Sequence, residues 1–350
     1  MLLEKKNPAV ATEPETPPAS AALLQLLFGK HITYSLSAVA RLGVPDHMSG
    51  APVPVDELAT KTGAHSPSLY RVMRTLASVG VFQEFPGKRF SLTPVGQLLQ
   101  TDAPGSLRYL AIQLGDRWSV RAWEHFTDTI RTGEDSVTKA FGKNVFQLFA
   151  EEPEQAETFN RSMTNLSAAM LEPIVNAYDF SSINRLADVG GGRGMLLASV
   201  LTRYPQMRGV VYDLKEVVTG AIGEPHFSTC KERVELEAGS FFDRVPSGCD
   251  AYIMKFILHD WSDEHCRKIL NLIRKELPQN GRVLVCEQVM TAGPEPVPAK
   301  LSDIEMLAMT VGGKERTEAE FSQLFASAGL RLLQVTQTES PVCVLEARAV

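Results

Sequence analysis

Residues 185–197, RLADVGGGRGMLL, decide how the rest of the chain is read. A short apolar strand, RLADV, runs into a cluster of glycines, and a helix follows through Tyr204. A glycine-rich turn between a strand and a helix lets a ligand approach backbone N–H groups. Asp213 ends the next strand, GVVYDL, 23 residues beyond Gly190. That distance suits a carboxylate on ribose hydroxyls. The dinucleotide pattern G-x-G-x-x-G fails in this register, because the third glycine position counted from Gly190 is Met195. Gly190-x-Gly192-x-Gly194 after Asp188 suits a ligand without a pyrophosphate. S-adenosylmethionine is one, with its ribose, adenine and zwitterionic amino acid. The alternative is a turn whose glycines only let helix and strand pack closely.

Outward from this loop, strands and helices alternate from about residue 181 to the end. VELEAGSFF, CDAYIMKFIL and RVLVCEQVM read as further strands. An amphipathic helix from Asp263 to Leu277 separates the last two. It sets Cys266, Ile269, Leu270, Ile273 and Leu277 on one side and stops before Pro278. Such alternation implies an α/β, Rossmann-like, mostly parallel sheet covered on both faces. RLLQVTQTE and VCVLEARA form an antiparallel pair that closes the sheet edge.

Before the loop the pattern changes twice. Residues 1–20 read as a disordered tail, rich in Pro, Glu and Ala. Residues 21–101 combine short helices with a strand pair. In SPSLYRVMRTLASVG, Ser66 is a good N-cap, Pro67 fits the first helical position and Gly80 closes the end. Leu69, Val72, Met73, Leu76 and Val79 share one face. VFQEF and RFSLT around PGK make a hairpin, so this is a winged-helix arrangement. Residues 102–180 read as all-helical, with Trp118, Trp123, Phe126, Phe141, Phe146, Phe149, Phe159 and Met163 at helical spacing. Residues 181–350 form the ligand-binding domain.

The totals restrict the partners. A net charge of -6 over 350 residues gives no basic field for nucleic acid or an anionic membrane. No apolar run is long enough to span a bilayer, and the N-terminal residues lack a secretory apolar region. Cys230, Cys249, Cys266, Cys286 and Cys343 form no C-x-x-C pair, which fits reduced thiols in a cytoplasm. No cluster with metal-ligand spacing is present. Arg71, Arg74, Lys88 and Arg89 in the winged-helix region raise DNA binding as a rival. Residues 56–98 carry Lys61 and those four against Asp56, Glu57 and Glu84, a net charge of only about +2. Dimerisation through LLQLLFGKHITYSLSAVARLGV is the favoured reading.

Three later motifs, FILHDWSDE, LVCEQVM and GGKERTEAEF, join the glycine loop in order. With them the chain resembles the small-molecule class I O-methyltransferases, among them plant caffeic acid and isoflavone enzymes and bacterial antibiotic-tailoring enzymes. The resemblance covers nearly everything after the tail and implies an N-terminal dimerisation domain, hence a homodimer. It implies that Gly190 and Gly192, which follow the candidate cofactor contact Asp188, approach S-adenosylmethionine, that Asp213 holds its ribose, and that Phe241 packs on adenine beside Lys255. It implies His259 as general base flanked by Glu287 and Glu315, with Asp260 adjacent. Met163, Phe256, Met306 and Met309 are the expected walls of the acceptor pocket. Ser240 stands where the family usually has Asp, so the adenine amino group meets a hydroxyl without charge assistance.

The chemistry explains these residue types. A phenol with a pKa of about 10 is a poor nucleophile at neutral pH, and an imidazole with a pKa of about 6.5 can take its proton. The other ring nitrogen then needs an acceptor to hold the tautomer. Glu287, ending the next strand, is the expected acceptor, and Glu315 closes the site from a loop. The bland alternatives are a histidine that ends a strand on backbone bonds and a solvated Glu315. Asp260 either orients a polar group or caps the helix near Ser262. Trp261 packs around the strand end, and His265 is surface. Two other functions share these features: non-methylating chemistry on the same cofactor, and a ligand-sensing winged-helix regulator.

Overall fold

A computed structural model describes residues 18–221 and 223–350. Residues 1–17, most of the expected tail, lie outside the described residues. The N-terminal unit runs α1 (Ala19–Leu27), α2 (Gly29–Arg41), β1 (Val53–Pro54), α3 (Val55–Thr62), α4 (Ser66–Ser78), β2 (Phe82–Phe85), β3 (Arg89–Leu92) and α5 (Pro94–Gln97). The wing is three-stranded, in the order β1-β3-β2, because Val53 pairs with Phe90. Leu69, Met73 and Leu76 of α4 pack with Leu58, Phe82 and Phe90 in its core. Ser66 is not the N-cap of α4. That position is His65, and the Ser66 hydroxyl turns to the Asp56 carboxylate instead. Two of the basic groups weighed for DNA lie over one ring, Arg74 at 5.3 Å and Lys88 at 5.0 Å from the Tyr70 centroid.

Six helices follow: α6 (Arg108–Leu114), α7 (Arg117–Trp123), α8 (Phe126–Thr132), α9 (Ser136–Phe141), α10 (Val145–Glu151) and the long α11 (Pro153–Ala177). Their aromatic residues are largely core, as such stripes usually are. Trp118 meets Phe149 edge-on at 5.1 Å, and Met309 from the last domain is buried among them.

The C-terminal domain contains β4 (Arg185–Val189), α12 (Met195–Arg203), β5 (Arg208–Asp213), α13 (Lys215–Ala221), β6 (Val234–Ala238), β7 (Ala251–Lys255), α14 (Asp263–Glu276), β8 (Arg282–Met290), α15 (Pro298–Met309), β9 (Arg316–Thr317), α16 (Glu318–Ser327), β10 (Leu330–Gln337) and β11 (Val342–Ala349). The strand order is β10-β11-β8-β7-β4-β5-β6, with β9 pairing to β8. From β4 the chain builds outward through β5 and β6, then returns to place β7 on the other side of β4. That reversal opens a crevice at the carboxyl ends of β4 and β7, where such sheets bind ligands. β11 runs antiparallel between β8 and β10, as the final strand pair implied. On α14, Cys266, Ile269, Leu270 and Ile273 are buried against the sheet, each apolar side chain worth about 2 kcal/mol.

Two strands end sooner than their apolar runs. VELEAGSFF is strand only to Ala238. CDAYIMKFIL is strand only to Lys255, because Phe256 adopts a left-handed backbone with φ of 54°. For a residue with a side chain this costs about 1–3 kcal/mol, so the surroundings must hold it.

Candidate active site

Every group at the crevice follows from the early end of β7. After the left-handed Phe256, residues Leu258–Asp260 form one 3-10 turn that carries His259. Glu287 on β8 sits one residue beyond Cys286, which pairs with Lys255 in the parallel ladder. Its side chain therefore lies level with the strand end. Oε1 accepts from the amides of Ile257 at 3.2 Å, Leu258 at 2.6 Å and His259 at 3.1 Å. These bonds fix the turn that aims the imidazole. Phe256 stacks on that ring at 5.2 Å.

Glu315 immediately precedes β9, whose Arg316 pairs with Val289 at the end of β8. Its Oε1 lies 2.9 Å from His259 Nδ1 and accepts from Ser302 Oγ at 2.6 Å. Its amide donates to Asp303 Oδ1 at 2.9 Å. The expected division of labour is thus reversed: Glu315 holds the ring nitrogen, and Glu287 holds the backbone. The reason is reach, because Glu287 faces the amides under the turn rather than the ring. Asp260 does not cap α14, whose N-cap is Ser262. Its Oδ1 lies 3.6 Å from His259 Nε2. Trp261 packs, stacked on Phe146 at 5.2 Å, and His265 is exposed.

Electrostatics follow from one imidazole among three carboxylates. Burial alone would lower the His259 pKa; Asp260, Glu315 and Glu287 outweigh it and hold it up at about 9. Burial pushes Glu287 up to about 7 and Asp260 up to about 6. With Nδ1–H donated to Glu315, Nε2 is the nitrogen that gains a lone pair when the ring loses its proton.

Arg316 was missed by the sequence reading. It opens β9, one residue after Glu315. It is fully buried and donates to the Leu258 carbonyl at 2.8 Å, the Trp261 carbonyl at 2.9 Å and Asp263 Oδ1 at 2.8 Å. It thereby braces the His259 turn from beneath. Arg316→Leu is expected to cost about 2–4 kcal/mol, because two carbonyls lose their donor. Urea unfolding measures it, and an unchanged midpoint would exclude the bracing role.

On the other side of β4 the glycine loop turns as expected, with φ of 71° at Gly190, 59° at Gly192 and 79° at Gly194. Gly192 donates to Asp213 Oδ2 at 2.8 Å. Burial pushes Asp213 up and Asp188 up to about 7. Burial lowers Lys255, whose Nζ donates to Ser167 on α11 at 2.7 Å. The Ser240 hydroxyl accepts from the Phe242 amide at 3.2 Å. Of the expected pocket walls, Phe256 touches the base and Met309 is buried in the helical cluster. Met306 is half-buried on α15. Met163 lies midway between Phe159 and Ser167 on one face of α11.

A Rossmann-like sheet with an acidic residue after its second strand and a glycine loop without the pyrophosphate register defines a class I methyltransferase. Residues 123–331 match the O-methyltransferase domain, and residues 24–102 match the O-methyltransferase dimerisation domain. The phenazine O-methyltransferase PhzM of Lysobacter antibioticus is 38% identical over 333 residues, covering 95% of this chain and 97% of that protein. The crystal structure of LaPhzM superimposes with a TM-score of 0.91 at 38% identity, covering 95% and 100% of the two chains. NcsB1 from neocarzinostatin biosynthesis, solved with S-adenosylmethionine and 2-hydroxy-5-methyl naphthoic acid, gives a TM-score of 0.77 at 30% identity over 91% and 96%. The chain belongs to this family: it is an S-adenosylmethionine-dependent O-methyltransferase.

The residues present fit that cofactor. Asp188 Oδ2 is buried without a hydrogen-bond partner. Nothing stands within 4 Å of where a Cβ on Gly192 would be, which leaves its backbone approachable. Phe241 walls the loop, its ring 3.5 Å from the Cβ position of Gly190. Among the described residues, no His, Cys, Asp and Glu are grouped to hold a metal ion.

Proposed function

We propose that this enzyme methylates a phenolic hydroxyl of an aromatic small molecule, with His259 as general base. The observation that carries this is the 2.9 Å contact between His259 Nδ1 and Glu315, which commits Nδ1 and leaves Nε2, 3.6 Å from Asp260 Oδ1, as the nitrogen that exchanges a proton. His259 takes the phenolic proton on Nε2, Glu315 stabilises the imidazolium, and Glu287 keeps the turn in place. Asp188, Gly190, Gly192, Asp213, Ser240, Phe241 and Lys255 would hold S-adenosylmethionine, which supplies a methyl group already activated on a sulfonium. The acidic centre suits that cation. Met163, Phe256, Asp260, Met306 and Met309 are proposed to line the acceptor site, where apolar walls suit a planar ring.

The test supplies S-adenosylmethionine and simple phenols to the enzyme and follows methylated product and S-adenosylhomocysteine together. Equal amounts are expected; S-adenosylhomocysteine without methylated phenol would overturn the acceptor class. Because His259 must be neutral to act, kcat/KM is expected to rise with pH and level off near its pKa of about 9. The stability term has the opposite trend. A folded pKa above the ordinary 6.5 gives stabilisation that is complete below pH 6.5 and lost as pH rises through about 9.

The proposed homodimer rests on the apolar surface of α1 and of Phe28 at its end. Leu23, Leu24, Leu26, Leu27 and Phe28 are all exposed, Leu26 at 78%. A contiguous patch of this kind marks an interface. Sedimentation of the full chain is expected to give a dimer, and of Leu26→Asp/Leu27→Asp a monomer. A wild-type monomer at micromolar concentration would sink the idea. The five described cysteines are free and buried, which supports a cytoplasmic setting.

A further inference from the structure

Arg193 interrupts the glycine loop with a cation that neither the proton transfer nor the cofactor contacts above employ. It precedes Gly194, the N-cap of α12, where a positive charge opposes the helix dipole. Two carboxylates offset that cost. Nη2 donates to Glu157 Oε2 on α11 at 2.7 Å, and Nη1 donates to Glu224 Oε1 at 3.3 Å. The Arg193 carbonyl accepts from His226 Nε2 at 2.8 Å, so main chain and side chain are both held. One residue therefore ties the glycine loop to α11 on one side and to the segment after α13 on the other.

Helix α11 passes over the cofactor crevice. Ser167 stands ten residues after Glu157, about 15 Å further along the axis, and accepts from Lys255 Nζ at the end of β7. Glu157 meets the loop after β4. The helix thus spans the carboxyl ends of both strands that open the crevice. Its two halves are anchored differently. Met170, Ile174 and Val175 are buried in the core on the sheet, whereas Ala156 and Phe159 pack on the cluster around Trp118 and Phe149. Among the described residues, no hydrogen bond or ion pair other than Arg193–Glu157 joins residues 153–166 to residues 181–350. The side chains of Arg193 and Glu157 are 21% and 43% exposed. An ion pair with that access to water is weak and salt-sensitive. It suits a contact that forms and breaks in each cycle rather than one that holds the fold.

We propose that Arg193 is a positioning residue for the cofactor: through Glu157 it latches the first half of α11 over the glycine loop, and this latch opens before S-adenosylhomocysteine leaves. The contact lies between the loop and α11, away from the His259 centre, so the inference is independent of the acceptor class. Glu224 holds the same guanidinium from the other side, which keeps it aimed at α11 while the latch is open.

Stopped-flow competition measures dissociation of S-adenosylhomocysteine from the full-length enzyme. Arg193→Ala and Glu157→Gln are each expected to speed it about five-fold, the effect of about 1 kcal/mol, and to raise KM for S-adenosylmethionine without lowering kcat. Glu157→Gln in the Arg193→Ala background should add nothing, because both remove one contact. Arg193→Lys keeps the charge and should restore most of the loss. Arg161→Gln removes the other partner of Glu157, at 2.7 Å within α11, and should leave dissociation unchanged. Raising salt from about 0.1 to 1 M should speed release from the wild type and not from Arg193→Ala. In the ligand-free enzyme, amide hydrogen exchange should quicken over residues 153–163 of Arg193→Ala and stay unchanged over residues 170–176. Wild-type dissociation and salt dependence in Arg193→Ala and Glu157→Gln overturn the latch. A defect in Arg193→Ala that Glu157→Gln does not share overturns it too, because Arg193 then acts on the cofactor directly. So does equal acceleration in Arg161→Gln, which assigns the effect to the stability of α11 alone.

Discussion

Replacing His259 by Gln leaves S-adenosylhomocysteine affinity within about two-fold and lowers kcat by about 10²–10⁴, the usual worth of a positioned general base. Glutamine retains a planar polar group of similar length and can still donate toward Glu315, but it cannot take a proton at neutral pH. The backbone of the turn is held by Glu287 through three amides, including that of residue 259, so the substitution does not release it. The glycine loop and Asp213 belong to other strands, so cofactor affinity is insulated. The pH dependence should flatten with the loss of the group that titrates near 9. Turnover close to wild type in this variant would remove His259 from the role of base.

Glu315→Gln is expected to lower kcat by a further test of the same geometry, again about 10²–10⁴. A carboxylate on Nδ1 selects the tautomer with the lone pair on Nε2 and stabilises the imidazolium as it forms. The amide that replaces it has no charge and can present an N–H to Nδ1, which favours the wrong tautomer. Ser302 Oγ, at 2.6 Å, donates to the same oxygen that meets Nδ1, so presenting the amide N–H there also leaves this hydroxyl without its acceptor. A role confined to structure would leave the pH profile in place. An orienting role shifts it: Glu315 is among the groups that raise His259, so the ascending limb should move to lower pH. A Glu315→Gln enzyme with unchanged kcat and unchanged profile would show that the ring is oriented by something else. Loss confined to KM for S-adenosylmethionine would do the same.

The two carboxylates were legible as members of the site but not in their separate tasks. Glu287 within β8 and Glu315 just before β9 lie in motifs that resemble the family, and both reach the centre. Which one meets the ring depends on the parallel register of β7 with β8 and on the short pairing of β9. Those contacts join residues 28 and 56 positions apart in the chain. Arg316 escaped notice because a basic residue in a polar loop is ordinarily solvated, and here it is fully buried. Phe256 read as strand because an apolar aromatic residue favours a sheet. Its left-handed turn is imposed by Glu287, which accepts the amides that follow.

What the sequence determined by itself was everything carried by local pattern. The glycine cluster marked the turn after β4, alternation of strand and helix gave the sheet, and helical spacing marked the amphipathic faces of α4 and α14. These signals are local because backbone conformation and side-chain periodicity depend on neighbours a few residues away. Tertiary structure alone decided how protons and charges are shared. Burial raises Glu287 and Asp260, and ladder register chooses which carboxylate meets which nitrogen. Desolvation and register are properties of the assembled interior, so no window of sequence contains them.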